Sequence, residues 1–184
     1  MRGSLWLTAL LLAVACGGAG SAPPAPASPS TAAATSTQPT APPTPRARCD
    51  SSEQLAVHYH AHLTVLVQGR SVAILANIGI TASCLYWLHT HDQSGLIHIE
   101  APATEASTVF TLGDFFDVWG QPLDPTHVAN LALAPDQKLV VYLDGQPFPG
   151  NPRSVPLRAH AQVVIEISPP AVVPAPVFTF PPNY

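Results

Sequence analysis

Six of the eight histidines in this chain lie between His58 and His98, and they come in alternating sets. His58, His60 and His62 alternate with Tyr59 and Ala61, His89 and His91 flank Thr90, and His98 is followed two places on by Glu100. An extended strand turns alternate side chains to one side, so the sets offer to a single face three imidazoles, two imidazoles, and one imidazole with a carboxylate. Imidazole nitrogens bind borderline metal ions at about 2.0–2.1 Å, and three or four donors on neighbouring strands make a tetrahedral or facial site. The chemistry suggested is metal ligation. The competing reading is that these histidines are only the solvated polar face of two half-buried strands.

The elements that must position them follow from the same periodicity. Val57, Tyr59, Ala61, Leu63, Val65 and Val67 alternate with the first histidine set, the pattern of a strand with one buried face. A turn at Gln68-Gly69-Arg70 leads into a second apolar run, Val72 to Ala76, as in a hairpin. Leu85 to His91 and Leu96 to Ala101 form another pair of runs around the turn-forming residues Asp92 to Gly95. A four-residue loop there pairs His91 with Leu96, His89 with His98 and Trp87 with Glu100, with opposed Cβ atoms about 4.5–5.5 Å apart. His89, His91, His98 and Glu100 then share one patch while Leu88, Ile97 and Ile99 face the core. These three histidines are the first candidates as ligands, His60 and His62 the next, and His58, at the frayed strand start, the last. Glu100 and Asp92 either ligate or orient imidazole N–H groups from behind. His127 and His160 are isolated and read as surface residues.

One helix is predicted over Thr111 to Trp119, with Thr111 as cap, Asp114 near the positive helix end and Gly120 as terminator. Leu112, Phe115, Phe116 and Trp119 recur at three- and four-residue spacing and should face a sheet. Two strands follow, Leu139 to Leu143 and Gln162 to Ile167. Hairpin, helix, then two strands resembles the β-grasp order, with the histidine-bearing hairpin as an insertion. The expected class is α+β, mostly β, with a β-sandwich as the alternative.

About 136 residues remain for a folded unit, read as a single globular domain over 49–168 followed by a strap over 169–184. Residues 1–15 read as a targeting segment and residues 17–48 as a linker. Leu5 to Val14 is apolar except for Thr8, roughly half the length needed to span a bilayer. With Arg2 before it and Ala13-Val14-Ala15-Cys16 after it, the segment resembles the lipobox leader of bacterial lipoproteins, with Ala13 where that family has Leu. The resemblance implies that Cys16 is lipidated. It also implies that the protein is exported and anchored at the outer face of the cell membrane, or on a membrane in the periplasm. Residues 17–48 hold eight prolines and no acidic residue, a composition that stays extended and can reach roughly 100 Å. The remaining cysteines, Cys49 and Cys84, are then a disulfide in an oxidising compartment or metal-ligating thiolates. The last 16 residues contain six prolines and alternate Val and Phe, a strap over the domain surface.

Composition excludes several functions. Seven Lys and Arg against 11 Asp and Glu rule out a basic nucleic-acid surface, and the single lysine rules out a heptad coiled coil. No HExxH, GxSxG or P-loop occurs, and Leu88-His89-Thr90-His91-Asp92 departs from the metallo-β-lactamase HxHxDH run by placing Asp92 directly after the second histidine and lacking the histidine that follows. Met1, the only methionine, leaves with the leader, so no thioether site for Cu(I) exists. Histidines with a carboxylate suit Cu(II) or Zn(II). The domain looks similar to uncharacterised His-rich domains of exported bacterial proteins, a resemblance that implies no activity. Three functions remain: metal buffering or delivery, a metalloenzyme with a three-histidine open site for superoxide or hydrolytic chemistry, and a structural or partner-binding lipoprotein without metal.

Overall fold

The computed structural model describes residues 44–173 and 175–184, so the leader, Cys16 and most of the linker lie outside the described residues. In chain order the elements are β1 (Cys49–Asp50), β2 (Val57–Val67), β3 (Arg70–Val72), β4 (Leu85–Tyr86), β5 (Leu88–His89), β6 (Leu96–Ala101) and α1 (Leu112–Trp119). They continue with β7 (Leu123–Asp124), β8 (His127–Val128), β9 (Leu131–Ala132), β10 (Lys138–Leu143), β11 (Gln146–Pro147) and β12 (Gln162–Ser168). The fold is α+β and mostly β. Its main sheet has the order β11-β10-β12-β2-β6-β5, with β3 also on β2.

At the centre β2 and β12 run parallel, with Val65 opposite Ile165, and the other neighbours are antiparallel. The β2–β3 hairpin, α1, the β10–β11 hairpin and the returning β12 reproduce the grasp-like order expected from the sequence. The sandwich alternative does not apply, because α1 rather than a second large sheet packs on the core face. Leu112, Phe115 and Phe116 of the helix are fully buried in one core with Leu63, Ile97, Ile99, Val163 and Ile165. The helix ends are built as the sequence indicates. Thr111 and Asp114 form a reciprocal capping box, and Gly120 closes the helix at φ 68°.

The length of β2 lets one strand do two jobs. Its C-terminal residues Val65 to Val67 pair with β3, while Val57 to His62 pair with β6 on the same edge. The β5–β6 hairpin is thus inserted beside the grasp-like sheet and continues it. Cys49 and Cys84 are joined by a disulfide, Cα atoms 5.5 Å apart, which fastens β1 and β4 next to β5. Neither cysteine is a thiolate ligand.

Three local expectations are corrected. The strand over Val72 to Ala76 ends at Val72, because Ile74 and Ile78 turn into the core and Asn77 takes φ 60°, a wrap that no ladder can follow. The run Leu85 to His91 is broken after His89. Thr90 turns inward, donating to the Leu75 carbonyl at 2.8 Å and accepting from Ile78 N–H at 3.1 Å. His91 therefore does not pair with Leu96, which lies opposite His62 instead. The packed unit also begins before residue 49. Ala47 is fully buried, Arg48 accepts from Trp87 N–H, and Arg46 forms a bidentate ion pair with Asp114.

Residues 169–173 and 175–184 lie along the outer face of the sheet. Ala175 packs with Leu66 and Val164, Val172 N–H donates to Glu166, and Phe178 N–H donates to Gln162. Among the described residues no helix is long and apolar enough to cross a membrane.

Candidate metal centre

The histidine face of the sheet is ordered by three adjacent strands. Along β2 the odd-numbered residues enter the core, so His58, His60 and His62 share the outer face. Across β2 and β6, His58 lies opposite Glu100 and His60 opposite His98. Across β6 and β5, His98 lies opposite His89, the register expected for the second hairpin. One cross-strand row therefore reads His60, His98, His89. The local hairpin alone does not provide this row; it needs β2 and β6, whose paired residues His60 and His98 are 38 positions apart.

Within the row, His60 Nε2 is 3.1 Å from His98 Nδ1, and His98 Nδ1 is 3.2 Å from Glu100 Oε1. His58 Nε2 stands 3.5 Å from Glu100 Oε1. On the other flank, His89 Nε2 is 3.2 Å from His91 Nε2 and 3.9 Å from Glu100 Oε2. Two donors held by one ion at about 2.0–2.1 Å stand about 2.9 Å apart at a right angle and about 3.4 Å apart at the tetrahedral angle. The closest three separations lie in that window. Two groups of donors, each within 4.8 Å throughout, can hold a metal ion: His58, His60, His98 and Glu100, and His89, His91, His98 and Glu100.

Burial and hydrogen bonding prepare these donors. His60, His89, His98 and Glu100 are buried, whereas His58 and His91 form the exposed rim. Loss of solvation, with repulsion from neighbouring imidazoles, pushes His60 down to about 4 and His98 down to about 3, so both rings are neutral near pH 7 with lone pairs available. Burial likewise lowers His89, against a hydrogen bond from its Nδ1–H to the Tyr86 carbonyl at 2.9 Å. That bond fixes the tautomer and leaves Nε2 free to ligate. Burial raises Glu100. His60 Nδ1 and Glu100 Oε2 are buried without a hydrogen-bond partner, a costly state for polar atoms that a bound cation relieves for the carboxylate.

Of the candidates from the sequence, His58, His60, His89, His91, His98 and Glu100 come together. His62 and Asp92 join neither group. Burial lowers His62, and its Nε2 bonds the Ser94 carbonyl at 2.8 Å, so it anchors the hairpin loop to β2. Asp92 accepts from Ser94 N–H at 2.9 Å and closes its own turn. His127 and His160 join neither donor group, although His160 lies beside β2, its N–H donating to the His60 carbonyl at 2.7 Å and its ring bonding the Tyr184 backbone oxygen at 2.6 Å.

Sequence reasoning missed the surroundings. Phe178 stacks on His62 with ring centroids 3.7 Å apart and planes 8° from parallel. Tyr184 lies against His60 at 4.6 Å, so the C-terminal strap roofs the β2 flank. Glu53 brings a carboxylate to 4.0 Å from His91 Nε2. The alternating aromatics in the proline-rich tail were the available signal for the roof; nothing local pointed to Glu53. Comparison of the chain with protein-family models, curated proteins and solved structures returned no match.

Proposed function

We propose that this chain is an exported, lipid-anchored module that binds copper or zinc as a divalent ion and holds it for buffering or delivery outside the cytoplasm. The observation carrying the reading is the convergence of His58, His60, His98 and Glu100 from two adjacent strands at separations suited to chelation. Four protein donors favour retention over catalysis, which needs a coordination position left open. Neutral nitrogens with one carboxylate suit Cu(II) or Zn(II) by ligand type. For the address, the leader ending in Cys16 and the Cys49–Cys84 disulfide both agree with an oxidising, extracytoplasmic compartment.

The test is metal analysis of untagged protein, wild type against His89→Ala/His98→Ala. Wild type should carry stoichiometric copper or zinc; the double variant should lose it while keeping its circular dichroism. Unchanged metal content in a folded double variant overturns the reading. Cys16→Ser should release the protein from the membrane fraction, and retention there overturns the anchor.

A further inference from the structure

We propose that the site holds two cations, bridged by Glu100, rather than one. The inference rests on the metal-binding reading above and extends it to the number of ions and their ligands. Its basis is the division of donors about β6, which lies between β2 and β5 in the sheet. Neighbouring strands are about 4.8 Å apart, so donors rooted on β2 and on β5 start nearly 10 Å from one another. His58 and His60 accordingly occur in one donor group and His89 and His91 in the other, while only the β6 residues His98 and Glu100 occur in both.

Glu100 is oriented as a bridge. Its Oε1 faces His98 Nδ1 at 3.2 Å and His58 Nε2 at 3.5 Å, whereas its Oε2 faces His89 Nε2 at 3.9 Å. Oε2 has no hydrogen-bond partner although the residue is only 4% exposed. A carboxylate serving one ion has no need to leave its second oxygen buried and unpaired beside another imidazole pair. The first cation takes His58, His60, His98 Nδ1 and Glu100 Oε1. The second takes His89 Nε2, His91 Nε2 and Glu100 Oε2, on the flank where His91 is exposed. Paired ions in proteins stand about 3.5–4 Å apart, a spacing that one carboxylate spans. Glu53, 4.0 Å from His91, adds negative charge on that flank.

The experiment loads the metal-free exported protein with Zn(II), and separately Cu(II), and measures bound metal per chain after desalting, with electron paramagnetic resonance on the copper form. Two ions per chain are expected in wild type, with copper spins coupled and integrating to fewer than two. His91→Ala should bind one ion, its affinity within about tenfold of the tighter wild-type site, because the β2-side donors are untouched and His91 is on the rim. Glu100→Gln should abolish the spin coupling. One ion per chain in wild type, with an isolated copper signal, overturns the bridge while leaving the metal-binding reading standing. No bound metal overturns both.

Discussion

Replacing His98 by Ala tests the geometry most sharply among single substitutions, because this imidazole lies at the centre of the three-strand row and belongs to both donor groups. Loss of an outer partner of a metal ligand already weakens binding by about 10–100-fold, so loss of a direct donor should reach at least the upper end. At a free metal concentration about 100 times the wild-type Kd, one bound ion stabilises the folded domain by about 2.7 kcal/mol. A domain of this size shifts by roughly 4 °C per kcal/mol, giving about 11 °C for wild type. With affinity weakened 100-fold, the same metal stabilises His98→Ala by about 0.4 kcal/mol, or under about 2 °C. Calorimetric scans of each protein with and without metal supply the two shifts. Any destabilisation from the lost side chain appears in both scans of the variant and cancels. A metal-induced shift in His98→Ala as large as that of wild type refutes the assignment.

Other consequences follow from the same structure. In the metal-free domain, His60 and His98 titrate at about 4 and about 3 when folded and near 6.5 when unfolded, so the unfolded chain takes up more protons below pH 6.5. Denaturant midpoints should therefore fall as pH is lowered from about 6.5 towards 4, with raised Glu100 opposing part of the loss; a flat profile contradicts the burial argument. Gly95→Ala should destabilise by about 2–6 kcal/mol in urea titrations, since φ is 87° and the added methyl stands against the Leu63 carbonyl oxygen. Gly145→Ala, also at positive φ but with open space around it, is the control and should lose only about 1 kcal/mol. Phe178→Ala removes the stack on His62, worth about 0.5–1.5 kcal/mol beyond its buried area, and should speed metal loss to a chelator; an unchanged release rate removes the strap from the account.

How much of this was legible in the sequence depended on whether the signal was local. The alternation from Val57 to Val67 and the capped helix from Thr111 to Gly120 are short-range patterns set by side-chain direction and backbone valence, and both appear where expected. The His89–His98 register is legible for the same reason, since one hairpin turn sets it. The placement of β2 beside β6 depends on burying Ala61, Ile97 and Ile99 in a common core, a condition no local spacing expresses. The two histidine runs were therefore visible, but not that they join into one row. Thr90 shows the opposite failure. Its alternation suits a strand, yet its hydroxyl is drawn inward by the backbone at Leu75 and Ile78, and the ladder ends two residues early, at His89 rather than His91. The prolines of the strap say that it is extended and its alternating Val and Phe that it lies on the domain surface, but neither says over which strands.

X-ray absorption at the metal edge of the loaded, untagged protein reaches the claim that imidazoles from adjacent strands enclose the ion. A first shell of nitrogen and oxygen at about 2.0–2.1 Å is expected, with the outer-shell scattering of at least two imidazole rings and no sulfur at about 2.3 Å. A first shell without imidazole scattering, or one containing sulfur, contradicts that claim.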